Sequence, residues 1–253
     1  MISKNIHQIW VGNKNPPFDI MQSWKNYCKK FNWNYFLWTE NEIENLNLKN
    51  KKIYEYYKYN TNNIPIEYNY RAMSDVARLE IINQFGGYYL DCDLYSWNND
   101  IEKFIDLDHN MLILTPENLY PKDCTKENKK VWWPEFLGDF NSSHFVGNSL
   151  FYANPNNNIL SDLIDNLDEI HQKNLNIMWE NYNMSIVNAS WYTCGCWQLT
   201  HFSKKYPFVI LPQNYIFSSI EYAYKKGKTY TDNIIASCIH DYDLSRLNNY
   251  LTF

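Results

Sequence analysis

The hydrophobic pattern of the first forty residues predicts a strand, a helix and a second strand. Apolar and polar residues alternate over 5–11, as in a strand with one buried face. From Phe18 to Lys30 the apolar residues recur at helical spacing, and 33–38 returns to strand character. Elements in this order are typical of an α/β fold with a parallel sheet.

The same kind of pattern continues along the chain. Residues 40–58 predict a polar helix, and a second helix ends at Gly86-Gly87, a common helix stop. No repeat or linker-like segment interrupts the sequence, so we expect one domain spanning 1–253. Further strands are expected at 88–95, 111–115, 146–153 and 209–211, further helices at 159–174 and 193–202, and a last apolar segment at 234–240.

Residues 116–143 form a long polar and aromatic segment without clear periodicity. Segments of this kind are usually functional loops or mobile lids, so we expect a functional loop here. Trp132 and Trp133 offer aromatic rings against which the apolar face of a ligand can pack. The alternative is that these aromatics only anchor the loop.

Composition narrows the class of protein. With 45% hydrophobic and 18% aromatic residues, the chain can build a hydrophobic core. Its net charge of −5 argues against overall electrostatic binding to nucleic-acid phosphates. No apolar run approaches the roughly 20 residues of a membrane-spanning helix, and the first residues do not resemble a signal peptide. We therefore expect a cytoplasmic protein, or one peripheral at a membrane, with reduced cysteines.

The acidic pair in Asp91-Cys92-Asp93 is the first chemical candidate. On a strand, alternation places both carboxylates on the same side. A hard divalent cation, Mn²⁺ or Mg²⁺, would relieve their repulsion and take its other ligands from water and phosphate. The alternative is a pair of solvated turn residues.

Two interpretations are open for Asp75 and Arg78, and a structural role is the default for four other side chains. Asp75 and Arg78 are three residues apart, so they share a helix face and suit either a polyol ligand or a surface ion pair. Trp10, on an apolar strand, is by default a core residue. His7 is expected to be a hydrogen-bonded strand histidine, and Cys194 and Cys196 to be buried small residues.

The run from Arg71 to Asp93 resembles the signature of sugar transferases with a DXD motif, glycosyltransferase family 32. The pattern is a Ser-Asp-x-x-Arg helix, a Gly-Gly turn and a Leu-Asp-x-Asp strand. That family includes yeast initiating mannosyltransferases and bacterial capsular-polysaccharide enzymes, and the same core occurs in clostridial glucosylating toxins. Residues 5–12 resemble its opening strand, and weaker similarity continues at 146–148, 193–195 and 239–240.

The resemblance implies a GT-A fold, with a Rossmann-like central sheet flanked by helices. It also implies a retaining, metal-dependent transfer of a hexose to a glycan or lipid-linked acceptor, as in polysaccharide biosynthesis. With such an acceptor, we expect the segment 116–143 to be an acceptor loop in which Trp132 and Trp133 cover the C–H faces of an acceptor sugar. The donor would be a nucleotide diphosphate sugar, with UDP-galactose or UDP-glucose favoured and GDP-mannose as the alternative.

The resemblance also implies roles for single residues. Trp10 would stack on the nucleobase, and Asp75 and Arg78 would contact sugar or ribose hydroxyls. Asp91 would bind hydroxyls and the metal sphere, while Asp93 would be the direct metal ligand. Arg78, Asp91 and Asp93 would thus be the catalytic residues.

His240 occupies the place of a late metal or phosphate ligand. The family's usual His-x-x-x-Ser-Trp ending is altered here, because Ser245 follows at a longer spacing and Arg246 replaces the Trp.

Two other classes of function compete with this interpretation. A nucleotide-sugar or glycan-binding module could keep the fold without turnover. A nucleotidyltransferase would normally have a Gly-rich basic phosphate loop, of which Gly12-Asn-Lys-Asn-Pro16 is a poor version.

Overall fold

The fold is built on a mixed six-stranded sheet with helices on both faces. In this computed structural model the described residues are 3–59, 66–103, 112–116, 146–182, 194–203, 208–210, 216–217 and 236–238. The strands are β1 Asn5–Ile9, β2 Asn34–Trp38, β3 Gly87–Leu90, β4 Leu94–Ser96, β5 Leu112–Pro116, β6 Val146–Ala153, β7 Phe208–Ile210, β8 Ile216–Phe217 and β9 Ala236–Cys238. The helices are α1 Phe18–Phe31, α2 Glu40–Glu44, α3 Lys51–Tyr59, α4 Ile66–Phe85, α5 Asn158–Tyr182 and α6 Cys196–Ser203, with a short 3-10 turn at Ile101–Lys103.

The main sheet has the strand order β2-β1-β3-β6-β5-β7. Strand β1 runs parallel to both β2 and β3, whereas β6 runs antiparallel to β3 and β5. A second, small sheet has the order β4-β9-β8. The expected α/β architecture with a Rossmann-like central sheet is confirmed.

Alternation along the central strands divides the core between the two faces of the sheet. Tyr89 and Phe151 belong to one cluster, which also takes apolar residues from α2 to α6. Tyr88 and Tyr152 belong to the other cluster, which includes the buried face of α1. Each strand therefore buries both of its faces, as strands between two helical layers do.

Two predicted elements are interrupted in the structure. The helix expected over 40–58 is two helices, α2 and α3, because the carboxylate of Glu80 accepts the backbone N–H groups of Lys49 (2.6 Å) and Asn50 (2.8 Å) between them. The strand expected over 88–95 is β3 and β4, separated by a turn. In that turn the N–H of Leu94 donates to the carbonyl of Asp91 at 3.1 Å.

The other predicted elements are confirmed with shifted ends. Strand β1 stops at Ile9, so Trp10 lies outside it, and α5 runs eight residues further than the expected end at 174. The glycine stop is confirmed, since α4 ends at Phe85 and Gly87 has φ +112°. A Cβ at Gly87 would lie 2.4 Å from the carbonyl oxygen of Asn5, so no larger residue fits between β3 and β1.

His171 gives the fold a testable pH dependence. It is a buried residue of α5 that faces α3, and its Nε2 lies 2.9 Å from the hydroxyl of Tyr57. Desolvation lowers its pKa to about 4, although Asp168 opposes the shift. The unfolded chain therefore binds the proton first, and the contribution of neutral His171 to stability is lost as the pH falls below about 6.5.

We expect the stability cost of His171→Gln to be about 2 kcal/mol smaller at pH 5 than at pH 7, since only the wild type loses stability through this group. Urea unfolding of both proteins at the two pH values measures this difference. Ser161→Ala, on the same helix, removes no titrating group, and its cost should not change with pH. A His171→Gln cost that is equal at both pH values would contradict the prediction.

Candidate active site at the edge of the central sheet

A cavity of about 650 Å³ lies where β1 and β3 end and β6 begins. Parallel strands bring their carboxyl ends to the same edge of a sheet, and ligands of open α/β folds bind there. Helix α4 supplies a further wall. Five residues singled out in the sequence line this cavity together: Trp10, Asp75, Arg78, Asp91 and Asp93.

Arg78 is the centre of the polar network. Only 5% of it is exposed, so its pairing with Asp75 is not the surface ion pair that was the alternative interpretation. Its Nη2 lies 3.1 Å from Asp75 Oδ1, and its Nη1 lies 3.2 Å from Asp91 Oδ1. The guanidinium also lies 4.4 Å from the ring centre of Tyr89.

The remaining N–H groups of Arg78 also have acceptors in the protein. Nε donates to the carbonyl of Ser74 (3.2 Å), Nη2 to its hydroxyl (3.1 Å), and Nη1 to the carbonyl of Asn148 (2.7 Å). Each of the three guanidinium nitrogens thus donates to a protein acceptor, and Nη1 and Nη2 also face a carboxylate. In this arrangement Arg78 orients two carboxylates, and a direct contact with a sugar hydroxyl requires it to exchange one of these partners.

Asp75 is buried beside this cation. Its Oδ1 also accepts from Nδ2 of Asn148 at 2.7 Å. Burial raises the pKa of Asp75 to about 6, and Arg78 and the amide of Asn148 oppose the shift. For Arg78, desolvation lowers the pKa, but Asp91, Tyr89 and Asp75 together outweigh it, so the net shift is upward and the guanidinium is charged.

Asp91 lies in the turn after β3, and not on a strand as the sequence predicted. Its Oδ1 accepts from the hydroxyl of Tyr89 at 2.6 Å as well as from Arg78. Its backbone carbonyl accepts from Nε2 of Gln8, and its N–H donates to the carbonyl of Ser149. The turn is therefore fastened to β1 and β6, and both acidic residues still line the cavity.

Cys92, between the two acids, ties the same turn to β1. Its buried thiol donates to the carbonyl of Ile9 at 3.2 Å, and burial raises its pKa well above the ordinary value. The thiol therefore stays protonated, and its role is to hold the turn against β1. Cys194 and Cys196 are buried, as expected from the sequence.

Trp10 is a wall residue of the cavity and not a core residue. Its indole N–H donates to the carbonyl of Lys14 at 2.7 Å, and its side chain is only partly buried. His7, in contrast, is the hydrogen-bonded strand histidine that the sequence predicted. Its Nε2 donates to the carbonyl of Gly86 and its Nδ1 accepts from the indole of Trp38, both at 3.0 Å.

Tyr89, Ser74 and Asn148 belong to the network but were not singled out as site residues from the sequence. Tyr89 lies two residues before Asp91, and alternation along a strand would have placed it on the same face. Asn148 lies in the 146–148 segment whose similarity was noted. No local pattern distinguishes Ser74 from other small residues on a helix.

Several predicted site residues lie outside the described part of the chain. These are His240, Ser245, Trp132, Trp133 and all of the expected acceptor loop 116–143 except its first residue, Pro116. Among the described residues, no group of three or more His, Cys, Asp or Glu side chains is placed to hold a metal ion. Over the same residues, no helix combines the length and apolar character needed to cross a membrane.

Comparison with known proteins gives a family match and a fold match. Residues 18–111 match the family described as "Glycosyltransferase sugar-binding region containing DXD motif". No curated protein matches the sequence. Among solved structures, the PaToxG glycosyltransferase is 16% identical with a TM-score of 0.50, over 81% of this chain and 69% of that one.

Two further solved structures are similar at lower TM-scores. A glycosyltransferase involved in the glycosylation of the major capsid of PBCV-1 is 12% identical, with a TM-score of 0.46 and 98% of each chain covered. The UDP-bound glycosyltransferase domain from the YGT toxin is 13% identical, with a TM-score of 0.43, over 93% of this chain and 80% of that one.

The family match covers the helix and turn that carry Asp75, Arg78, Asp91 and Asp93, and the fold match to PaToxG covers 81% of this chain. Residues 18–111 therefore match a glycosyltransferase sugar-binding region whose DXD motif falls at Asp91-Cys92-Asp93, and the chain has a GT-A-like fold.

Proposed function

We propose that the chain transfers a hexose, with retention of configuration, from a nucleotide diphosphate sugar to a glycan or lipid-linked acceptor. A UDP-sugar, UDP-galactose or UDP-glucose, is the favoured donor, with GDP-mannose as the alternative. The observation that carries this proposal is the shared cavity, in which an aromatic wall residue, Trp10, and the acidic turn with Asp91 and Asp93 face one space. Its volume of about 650 Å³ is typical of small-molecule sites.

The orientation of the carboxylates supports a role in binding hydroxyls. In the described part of the chain, the side-chain contacts of Asp75 and Asp91 all fall on Oδ1. The second oxygen of each carboxylate thus stays available to accept a hydrogen bond from a sugar or ribose hydroxyl. Trp10 offers a ring face for the base, since stacking on an aromatic ring tolerates any base.

The donor set fits a divalent cation, Mn²⁺ or Mg²⁺. Asp91 and Asp93 supply hard oxygen ligands, and these cations often take only one or two carboxylates and complete their shell with water and substrate phosphates. When bound, the cation would neutralise charge on the diphosphate leaving group. His240 remains a predicted further ligand.

Among the described residues, no carboxylate in the cavity remains as an evident nucleophile. Asp75 and Asp91 are paired with Arg78, Glu67 is paired with Lys14, and Asp93 is assigned to the cation. We therefore infer a front-face reaction without a covalent enzyme intermediate. The bond from sugar C1 to the diphosphate oxygen breaks, its electron pair leaves with the diphosphate, and the acceptor oxygen bonds to C1 on the same face. The acceptor proton passes to the leaving phosphate.

A binding and hydrolysis experiment tests this proposal. UDP-galactose, UDP-glucose and GDP-mannose are added with Mn²⁺, and with EDTA as the control. A donor at 100 times its Kd stabilises the fold by about 2.7 kcal/mol, which a thermal-shift assay detects as a higher Tm. We expect one UDP-sugar to do so only with Mn²⁺, and slow release of UDP with an α-configured free sugar seen by NMR.

The other outcomes separate the competing functions. A donor that binds but is never hydrolysed or transferred would favour a binding module of the same fold. Release of pyrophosphate from a nucleoside triphosphate would favour a nucleotidyltransferase. No shift with any of the three donors would contradict the proposed donor site.

A further inference from the structure

The loop of residues 10–14, here called the pocket loop, forms one wall of the cavity. Trp10 and Lys14 join its two ends, since the indole N–H of Trp10 donates to the carbonyl of Lys14 at 2.7 Å. Lys14 also pairs with Glu67 of α4 at 3.2 Å, but both side chains are exposed, and exposed pairs of this kind contribute little. The backbone N–H of Trp10 donates to the carbonyl of Trp38 at 2.9 Å, which holds the start of the loop, so the middle of the loop needs another anchor.

That anchor is Glu40, the first residue of α2. Its Oε1 accepts the backbone N–H of Gly12, in the middle of the pocket loop, at 2.9 Å. A carboxylate that accepts a backbone N–H makes a stronger bond than a neutral acceptor does. Its other oxygen, Oε2, faces Nζ of Lys58 at 3.9 Å. Glu40 thus links the pocket loop to a cation on α3.

Gly12 is confined on its other side. Its φ is +107°, and a Cβ there would lie 2.6 Å from the ring of Tyr70 on α4. The loop backbone therefore lies between the ring of Tyr70 and the carboxylate of Glu40. Tyr70 only limits how far the loop can approach α4, whereas Glu40 holds it in place.

We propose that Glu40 is a positioning residue of the donor site. It holds the pocket loop so that the indole of Trp10 stays on the cavity wall, in the place that receives the nucleobase. This inference depends on the role proposed for Trp10. Glu40 is not among the residues that line the cavity, so it acts through Gly12. Its loss should weaken donor binding and leave the chemical step unchanged.

The binding test measures the Kd of UDP with Mn²⁺ by calorimetry, with GDP in place of UDP if only GDP binds the wild type. We expect Glu40→Ala to raise the Kd about ten-fold. Glu40→Gln keeps an oxygen that can accept from Gly12, and it should stay within about three-fold. Glu44→Ala is the matched control, since Glu44 on the same helix also pairs with Lys58 but makes no described contact with the loop.

A kinetic split and a double-mutant cycle separate positioning from a general effect on stability. With the full chain and a nucleotide sugar, Glu40→Ala should raise KM about ten-fold and leave kcat within about two-fold. In a Trp10→Ala background, Glu40→Ala should have no further effect on the Kd, because the residue it positions is gone.

Three results would overturn the proposal. The first is an unchanged Kd in Glu40→Ala, and the second is an equal loss in the Trp10→Ala background. The third is a wild type that binds neither UDP nor GDP, which would contradict the proposed donor site itself. The first two results leave that donor site standing.

Discussion

Asp93→Asn is expected to abolish donor turnover while leaving the fold intact. Asp93 lines the cavity within the turn between β3 and β4, and it is proposed as the direct ligand of the divalent cation. An amide is a much poorer ligand for a hard cation, and the loss of several kcal/mol of charge stabilisation corresponds to about 10³-fold in rate. Release of UDP from the nucleotide sugar with Mn²⁺ measures this, and circular dichroism checks the fold.

Two comparisons sharpen this experiment. Asp165→Asn, at an exposed ion pair on α5, makes the same chemical change away from the cavity and should keep full activity. Asp91→Asn should lose activity and also stability, since Asp91 pairs with Arg78. An Asp93→Asn protein that keeps full activity after metal removal would contradict the proposed metal role.

Arg78→Met is expected to have the largest effect on stability. The substitution keeps much of the apolar stem but leaves the carboxylates of Asp75 and Asp91 without their cation. Removing one partner of a buried ion pair typically costs about 3–5 kcal/mol, because the remaining charge stays desolvated. The free energy of unfolding, measured with urea at pH 7, should fall by about this amount.

The same measurement on two other variants shows whether geometry or charge is responsible. Arg78→Lys keeps the charge but offers fewer and differently placed donors, so it should recover only part of the stability. Arg71→Met, on the exposed rim of the cavity, should stay within about 0.5 kcal/mol of the wild type. An Arg78→Met protein as stable as the Arg71→Met protein would show that the network contributes nothing.

The elements near the cavity could be predicted because their signals are local. Helix α4 ends at the glycine pair, and β3 follows as a short run of buried residues, so periodicity and backbone chemistry agree. The acidic pair was correctly placed beside the glycine turn, and the spacing of Asp75 and Arg78 correctly put them on one face of a helix.

The errors have a common cause in contacts between distant parts of the chain. The helix over 40–58 is broken by Glu80, which lies about thirty residues further along the chain. The predicted strand over 88–95 turns at Asp91, where Gln8 and Ser149 hold the backbone. Neither partner can be found from the local pattern.

The sequence by itself determined the α/β class, the order of the main elements and the motif that carries the chemistry. These depend on hydrophobic period, on glycine conformation and on residues close together in the chain. Only the tertiary structure decided that all three guanidinium nitrogens of Arg78 donate to protein acceptors and that Glu40 reaches the pocket loop. Both depend on distances between residues up to 70 positions apart, and such distances are set by how the strands and helices pack.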